Sequence, residues 1–357
     1  MNTIGNDIRI TLWGGSHGSH IGCVLEGVKG GLELDNDKIT EEMSLRRPSP
    51  GIGTARMEKD EVLFLSGVTE GVTNGDPISI MIANNDTRSK DYEQFRHRPR
   101  PGHADFTAVI RNPNHDIRGG GMFSGRLTAP LVAAGTVCRL GLEAEGIDIG
   151  AFTRGIGEVI DPQERSIEEC WDSRAFSSRA CTKDLDDEMI ETIMNASSEG
   201  DSLGGVVECH LENLPIGVGE PWFDSLDGEL AKSMFSIPAM RAFEIGDGLL
   251  SSRSKGSEMN DPFTLAGNEV FTTTNHHGGV LGGRSSGMPL VFRCFLKPTP
   301  SISKTQCTVD LESLQDVQLQ IEGRHDPCIV PRAVAVVEAM ACHCIYDMMS
   351  RGGFLEN

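Results

Sequence analysis

Residues 124–145 read SGRLTAPLVAAGTVCRLGLEAE. Alanine, leucine and valine fall on nearly every side of a 3.6-residue wheel, which predicts a helix buried all round. Pro130 is tolerated because it falls in the first turns. Around this helix the chain alternates in short runs. Residues 7–12 and 21–28 read as strands on either side of Gly14-Gly15-Ser16-His17-Gly18. Residues 61–68 and 78–82 read as strands on either side of the turn Thr73-Asn74-Gly75-Asp76. Further strands are predicted over 147–159, 204–211, 240–245 and 289–296. Helices are predicted over 37–47, 104–111, 185–196, 223–235 and 333–349. Antiparallel hairpins mixed with long buried helices indicate an α+β fold, a β-α-β layered sandwich in a single domain covering 1–357. Residues 251–286, rich in Gly, Ser, Asn and Thr, are too long for an ordinary connector and are expected to form a lid or binding loop.

The 357 residues carry a formal net charge of -20 and a sequence pI of about 4.9. That balance argues against a nucleic-acid surface, which needs a basic face. Ten cysteines are scattered without a C-x-x-C pair, and the N-terminus shows no basic segment followed by an apolar one. No apolar run approaches the length of a membrane span. The expectation is a soluble cytoplasmic protein with reduced thiols. Cys342-His343-Cys344 is not a metal motif on a helix, because i and i+2 point to different faces.

Within this acidic chain, residues 96–126 hold six arginines, three histidines and two acids. Arginine forks match carboxylate and phosphate oxygens, and Gly119-Gly120-Gly121 lets backbone N–H groups approach such a ligand. His17, flanked by small residues after a strand, and His103, in a loop stiffened by two prolines, are candidate acid–base groups. Asp326, beside Arg324 and His325, is a candidate acid. Arg46 and Arg47 before Pro48 form a second basic point. There is no Walker A motif and no G-x-S-x-G elbow, and Gly278–Gly283 does not fit a dinucleotide fingerprint. From residues alone, two readings stand: an enzyme acting on a phosphorylated or carboxylated small molecule, and a sugar-phosphate binding module.

Taken in order, the motifs resemble chorismate synthase nearly end to end. They are GGSHG at 14–18, RRP at 46–48, RPGHAD at 100–105, RGGG at 118–121, SGRLTA at 124–129, GEPWFD at 219–224, EIGDG at 244–248, GSEMND at 256–261, NHHGGVLGG at 275–283, KPTPSI at 297–302 and GRHDPC at 323–328. Gly15, Met122, Leu127 and Pro300 depart from the residues usual in the family. The resemblance implies conversion of 5-enolpyruvylshikimate 3-phosphate to chorismate and phosphate, a 1,4-elimination of the C3 phosphate and a C6 proton. It implies reduced FMN, with NADPH needed only if the protein reduces its own flavin, and a homotetramer. It implies catalytic roles for His17, His103, Asp326, Ser16 and Ser124: His17 for protonating reduced flavin, His103 for protonating the departing phosphate, and Asp326 for the flavin N5 proton. Substrate would be held by Arg46, Arg47, Arg118, Arg126 and Arg324. The flavin would be wrapped by Met122, Phe123, Ser124, Pro238, Ala239, Gly282, Lys297, Pro298, Thr299, Pro300, Ser301 and Arg324. A phosphosugar or flavin carrier without turnover, and a flavin reductase, are the alternatives.

Overall fold

The computed structural model describes residues 2–49, 52–53, 60–85, 92–321, 323 and 325–355. Its first sheet is built from β1 (Thr3–Ile4), β2 (Arg9–Gly14), β3 (His20–Glu26), β4 (Leu63–Ser66) and β5 (Ile78–Ala83), in the order β1–β2–β3–β5–β4, with every pairing antiparallel. Period-two alternation turns Ile21, Cys23 and Leu25 of β3, and Ile78, Ile80 and Ile82 of β5, into the core. The second sheet contains β6 (Asp148–Ile156), β7 (Val159–Ile160), β8 (Gly205–Glu212), β9 (Met240–Ile245) and β10 (Leu290–Leu296), in the order β9–β10–β8–β6–β7, again antiparallel.

Between the sheets lie α1 (Asn36–Leu45), α2 (Thr128–Ala144), α3 (Leu226–Phe235) and α4 (Val330–Gly352). Helix α2 packs on β3 and β5, α4 packs on β6 and β8, and the two helices pack on each other. This is the expected α+β sandwich. The α2–α4 crossing is close because Gly135 faces Ala339: a Cβ at residue 135 would lie 2.4 Å from the Ala339 carbonyl oxygen. Asp35 caps α1, accepting from the N–H groups of Asp37 and Lys38.

Two expectations change. By length and composition α4 could cross a bilayer, which the sequence reading did not anticipate. Yet 94% of its apolar window is buried inside the protein, so it serves as a core helix. Charged residues broke up the run to the eye, but Glu338 and Asp347 point at partners within the fold. The antiparallel ribbon of Gln306–Asp310 and Gln315–Leu319 was also missed, because its residues are mostly polar. The stretch 251–286 carries structure of its own, including the hairpin Phe263–Ala266 with Glu269–Thr272.

Helix α4 also pins the N-terminal segment. One carboxylate oxygen of Asp347 accepts the backbone N–H groups of Asn6, Asp7 and Ile8 at 3.0, 2.7 and 2.8 Å. His343 Nε2 donates to the Ile8 carbonyl at 2.7 Å, while its buried Nδ1 has no partner among the described residues. Burial holds this imidazole below its ordinary pKa, so it is neutral. The Asp347→Ala protein should lose about 3 kcal/mol in chemical denaturation, because three amides lose a charged acceptor. Amide exchange at residues 6–8 should quicken first.

Candidate functional site

Three distant segments converge at one end of the helical layer. Arg46 stands at the C-terminal end of α1, which Pro48 follows. Arg126 lies in the short turn Gly125–Leu127 that leads into α2, with Ser124 Oγ accepting its N–H at 3.3 Å. Asp60 precedes β4, and its carboxylate takes one guanidinium on each oxygen, Arg46 on Oδ2 and Arg126 on Oδ1. All three side chains are buried. Burial pushes the Asp60 carboxyl up, but the Arg46 and Arg126 guanidiniums more than offset this and hold it below the usual range. Burial lowers Arg46 to about 10, so it is still a cation at neutral pH.

A cavity of about 310 Å³ opens beside this triad. Arg46, Arg47, Arg126 and Arg332 line it together with the apolar side chains of Ile237, Leu296, Ile329 and Val336. Asp326 completes the lining. Its Oδ2 accepts from Arg332 Nη1 at 2.5 Å, while Oδ1 is buried with no partner among the described residues. Burial raises the Asp326 pKa against the pull of Arg332, which suits a carboxyl that holds and releases a proton. Arg332 Nε in turn donates to the Arg46 carbonyl at 3.0 Å.

Neither candidate histidine lines this cavity; each sits on a loop of its own. Ser16, wholly buried, links His17 Nδ1 at 3.1 Å to the Gly119 carbonyl at 3.1 Å. All three glycines at 119–121 have positive φ, and a Cβ on Gly119 would come within 2.2 Å of the His17 ring. Tyr92 meets the same imidazole edge-on at 5.1 Å and lies 5.8 Å from the Arg100 guanidinium, which ties the His17 turn to the His103 loop. There, Asp105 accepts two bonds from the Arg100 side chain, and His103 Nδ1 donates to the Pro101 carbonyl at 3.0 Å. Burial, then the Arg100 charge, lower His103 to about 4.

The His103 loop rests on the segment that follows β10. Lys297 Nζ donates to the Gly102 carbonyl at 2.7 Å, and Pro300 abuts Gly102. Lys297 N donates to the carbonyl of Ala239, which holds a left-handed φ of 72° beside Pro238. Thr299 Oγ1 is buried without a partner among the described residues. Pro298 follows Lys297 along the same segment, and Ser301 contacts His325 Nδ1 at 3.1 Å.

Of the residues singled out in the sequence, the cavity itself collects Arg46, Arg47, Ser124, Arg126, Pro238 and Asp326. Ser16, His17, His103, Ala239 and residues 297–301 are not among its lining; Ala239 and Lys297 follow the lining residues Pro238 and Leu296 in the chain, and the His103 loop contacts the 297–301 segment. Arg118 stands apart, half exposed and bonded to Asp116. Met122 and Phe123 are exposed at the edge of the glycine loop, and Gly282 sits at the tip of the turn joining Val280–Leu281 to Arg284–Ser285. Arg324 lies outside the described residues. The sequence reading missed Asp60, which looked like one more acid in the charged run before β4. It also missed Arg332, Asn84 and Arg241, the last of which helps to lower the Lys297 pKa after burial. A cation six residues after Asp326, at the first turn of a helix, was the one available signal.

A family model described as chorismate synthase matches residues 8–350. A chorismate synthase of Dehalococcoides mccartyi is 44% identical, covering 99% of this chain and 98% of its own. One of Archaeoglobus fulgidus is 44% identical, covering 99% of both chains. A solved structure, a crystal structure of chorismate synthase, superposes with a TM-score of 0.79 at 29% identity, covering 98% of this chain and 93% of that one.

Truncation of the buried carboxylate in Asp60→Ala leaves two guanidiniums facing each other. Its cost should be about 3–5 kcal/mol in denaturation. Added inorganic phosphate should raise the thermal midpoint of this variant more than that of the parent protein, since the anion replaces the lost charge.

Proposed function

The chain belongs to the chorismate synthase family, and we propose that the cavity between Arg46, Arg126 and Asp326 is where it performs that family's reaction. It is a carbon–oxygen lyase of aromatic amino-acid biosynthesis, forming chorismate and phosphate from 5-enolpyruvylshikimate 3-phosphate. The observation that carries the assignment to this cavity is the makeup of its lining: four arginines together with apolar side chains, and Asp326, whose buried Oδ1 has no partner among the described residues.

The family's cofactor is a flavin, which we take to be reduced FMN. The residues present fit it: Ile237, Leu296, Ile329 and Val336 offer a flat ring an apolar wall, and Lys297 with the buried Thr299 hydroxyl offers partners to a phosphate. When bound, reduced flavin supplies electron density to the allylic system as the C3–O bond breaks. Arg46, Arg126 and Arg47 neutralise the carboxylates and phosphate of the substrate and stabilise the charge that builds on the departing group. His103 keeps its Nδ1 proton on the Pro101 carbonyl, so Nε2 is the atom that exchanges a proton with the ligand. With its pKa lowered by burial and by the Arg100 charge, the free ring is neutral at pH 7. An anion beside it favours the cationic form, so the imidazole takes up a proton as the substrate binds and gives it to the phosphate as the bond breaks. Asp326 Oδ1 is a second place where a proton can be held.

We also propose a homotetramer. Trp222 is 85% and Phe223 94% exposed on a turn where Trp222 has a φ of 69°, and Phe263, Leu265 and Val270 expose one apolar face of a hairpin. Surfaces of this kind are covered by protein in an assembly. A soluble, cytoplasmic setting accords with ten free cysteines and a buried α4.

Calorimetry of 5-enolpyruvylshikimate 3-phosphate binding in buffers of different ionisation enthalpy should show a fractional proton uptake at pH 7 that grows as the pH is lowered toward 6. In His103→Ala the uptake should vanish, and kcat should fall about 10²–10⁴-fold with reduced FMN. Binding without turnover in the parent protein would mark a carrier instead. Light scattering should give four times the chain mass, and Phe223→Asp should give a smaller species.

A further inference from the structure

We propose that Asn84 is a positioning residue that fixes the His17 turn relative to the anion-holding Arg126. The inference rests on the reading of His17 and Arg126 as groups of the reaction site. Asn84 directly follows β5, and its backbone N–H donates to the Ser19 carbonyl at 2.9 Å. Its side-chain Nδ2 donates to the carbonyl of Gly15 at 3.1 Å and to that of Gly18 at 2.9 Å. Those two residues are the ends of the turn that holds Ser16 and His17, closed by the Gly18 N–H on the Gly15 carbonyl at 3.0 Å. The Oδ1 of the same amide accepts from Arg126 Nε at 3.0 Å.

The requirement is chemical as well as geometric. Two carbonyls need donors and one guanidinium nitrogen needs an acceptor, within reach of one side chain. A primary amide meets all three, and the partners dictate which way it points. Aspartate would keep the bond to Arg126 but set an oxygen against both carbonyls, and alanine would leave all three groups without it. The other guanidinium nitrogens of Arg126 go to Asp60 and to the Ala83 carbonyl, so the arginine stays anchored when Asn84 changes. The imidazole itself is met by Ser16 Oγ and by the Tyr92 ring. Its turn is held at the far side by the Ser16 contacts to Gly119 and Arg118, while Gly15, with no side chain of its own, adds none. Asn84 is thus the tie between a turn that must place a ring and an arginine that must place an anion.

The test is a double-mutant cycle on the holoenzyme with reduced FMN and 5-enolpyruvylshikimate 3-phosphate under anaerobic conditions. Asn84→Ala should lower kcat about tenfold or more, the scale of a misplaced catalytic group, with a smaller change in KM. Introduced into His17→Ala, it should lower kcat less than about twofold further, because the ring it positions is gone. Asn84→Asp, near-isosteric and still bonded to Arg126, should repeat both results and serves if the alanine variant does not fold. If His17→Ala lowers kcat and the Asn84 variants multiply that loss undiminished, Asn84 acts elsewhere and the inference is overturned. A fall confined to KM overturns it equally. If His17→Ala alone leaves kcat unchanged, it is the role of His17 that fails, and the positioning claim falls with it.

Discussion

Two guanidiniums share one buried carboxylate, and the architecture around them follows from keeping that group of charges intact. An isolated cation in a protein interior is strongly penalised, and burial already draws Arg46 down to about 10. Asp60 supplies the compensating charge without cancelling it, since two cations meet one anion. Arg332 is matched by Asp326 in the same lining. A positive surplus is therefore kept at one point of a chain whose formal net charge is -20. In a partly enclosed cavity that local surplus, rather than the overall charge, decides which ligands are attracted.

The middle layer of helices sets where this surplus lies. Helix α2 begins just after Arg126 and runs beneath the first sheet to a second buried charge cluster. There Arg139 contacts Glu42 of α1, Glu143 of its own helix and Glu338 of α4, and donates to the Ile149 carbonyl of β6. Glu338 also accepts the Ala151 N–H at 2.7 Å, which fastens α4 to the second sheet. Midway, Gly135 lets α4 approach closely against Ala339, and Gly141, just beyond Arg139, does so against Tyr346. Charge holds the helix near both ends and tight packing holds its centre, so the turn bearing Arg126 has little freedom. This is how a core network remote from the cavity bears on its geometry.

Much of this was legible in the chain. The all-apolar wheel of 124–145 became α2, shortened because Ser124 caps a separate turn before it. Alternation at 78–82 became β5, and the stop at Pro48 ended α1. The arginine-rich stretch was legible as an anion site but not as a single surface: Arg126 enters the cavity, Arg118 pairs with Asp116 at the surface, and Arg100 is bound to Asp105. Residue type alone does not separate an arginine awaiting a ligand from one satisfied by a neighbouring acid.

By itself the sequence determined the layered α+β class, the family, and the loops that carry the histidines, because hydrophobic period, turn chemistry and ordered motifs are properties of short stretches. The tertiary structure alone decided that Asp60 lies between Arg46 and Arg126, that Arg332 restrains one oxygen of Asp326 while the other has no partner among the described residues, and that Asn84 reaches the His17 turn. The Asp60–Arg126 and Asn84 contacts join segments far apart in the chain, where no local pattern records the pairing, and the six-residue spacing of Asp326 and Arg332 does not by itself fix which oxygen is held. Their charge states depend on how deeply the folded layers exclude water.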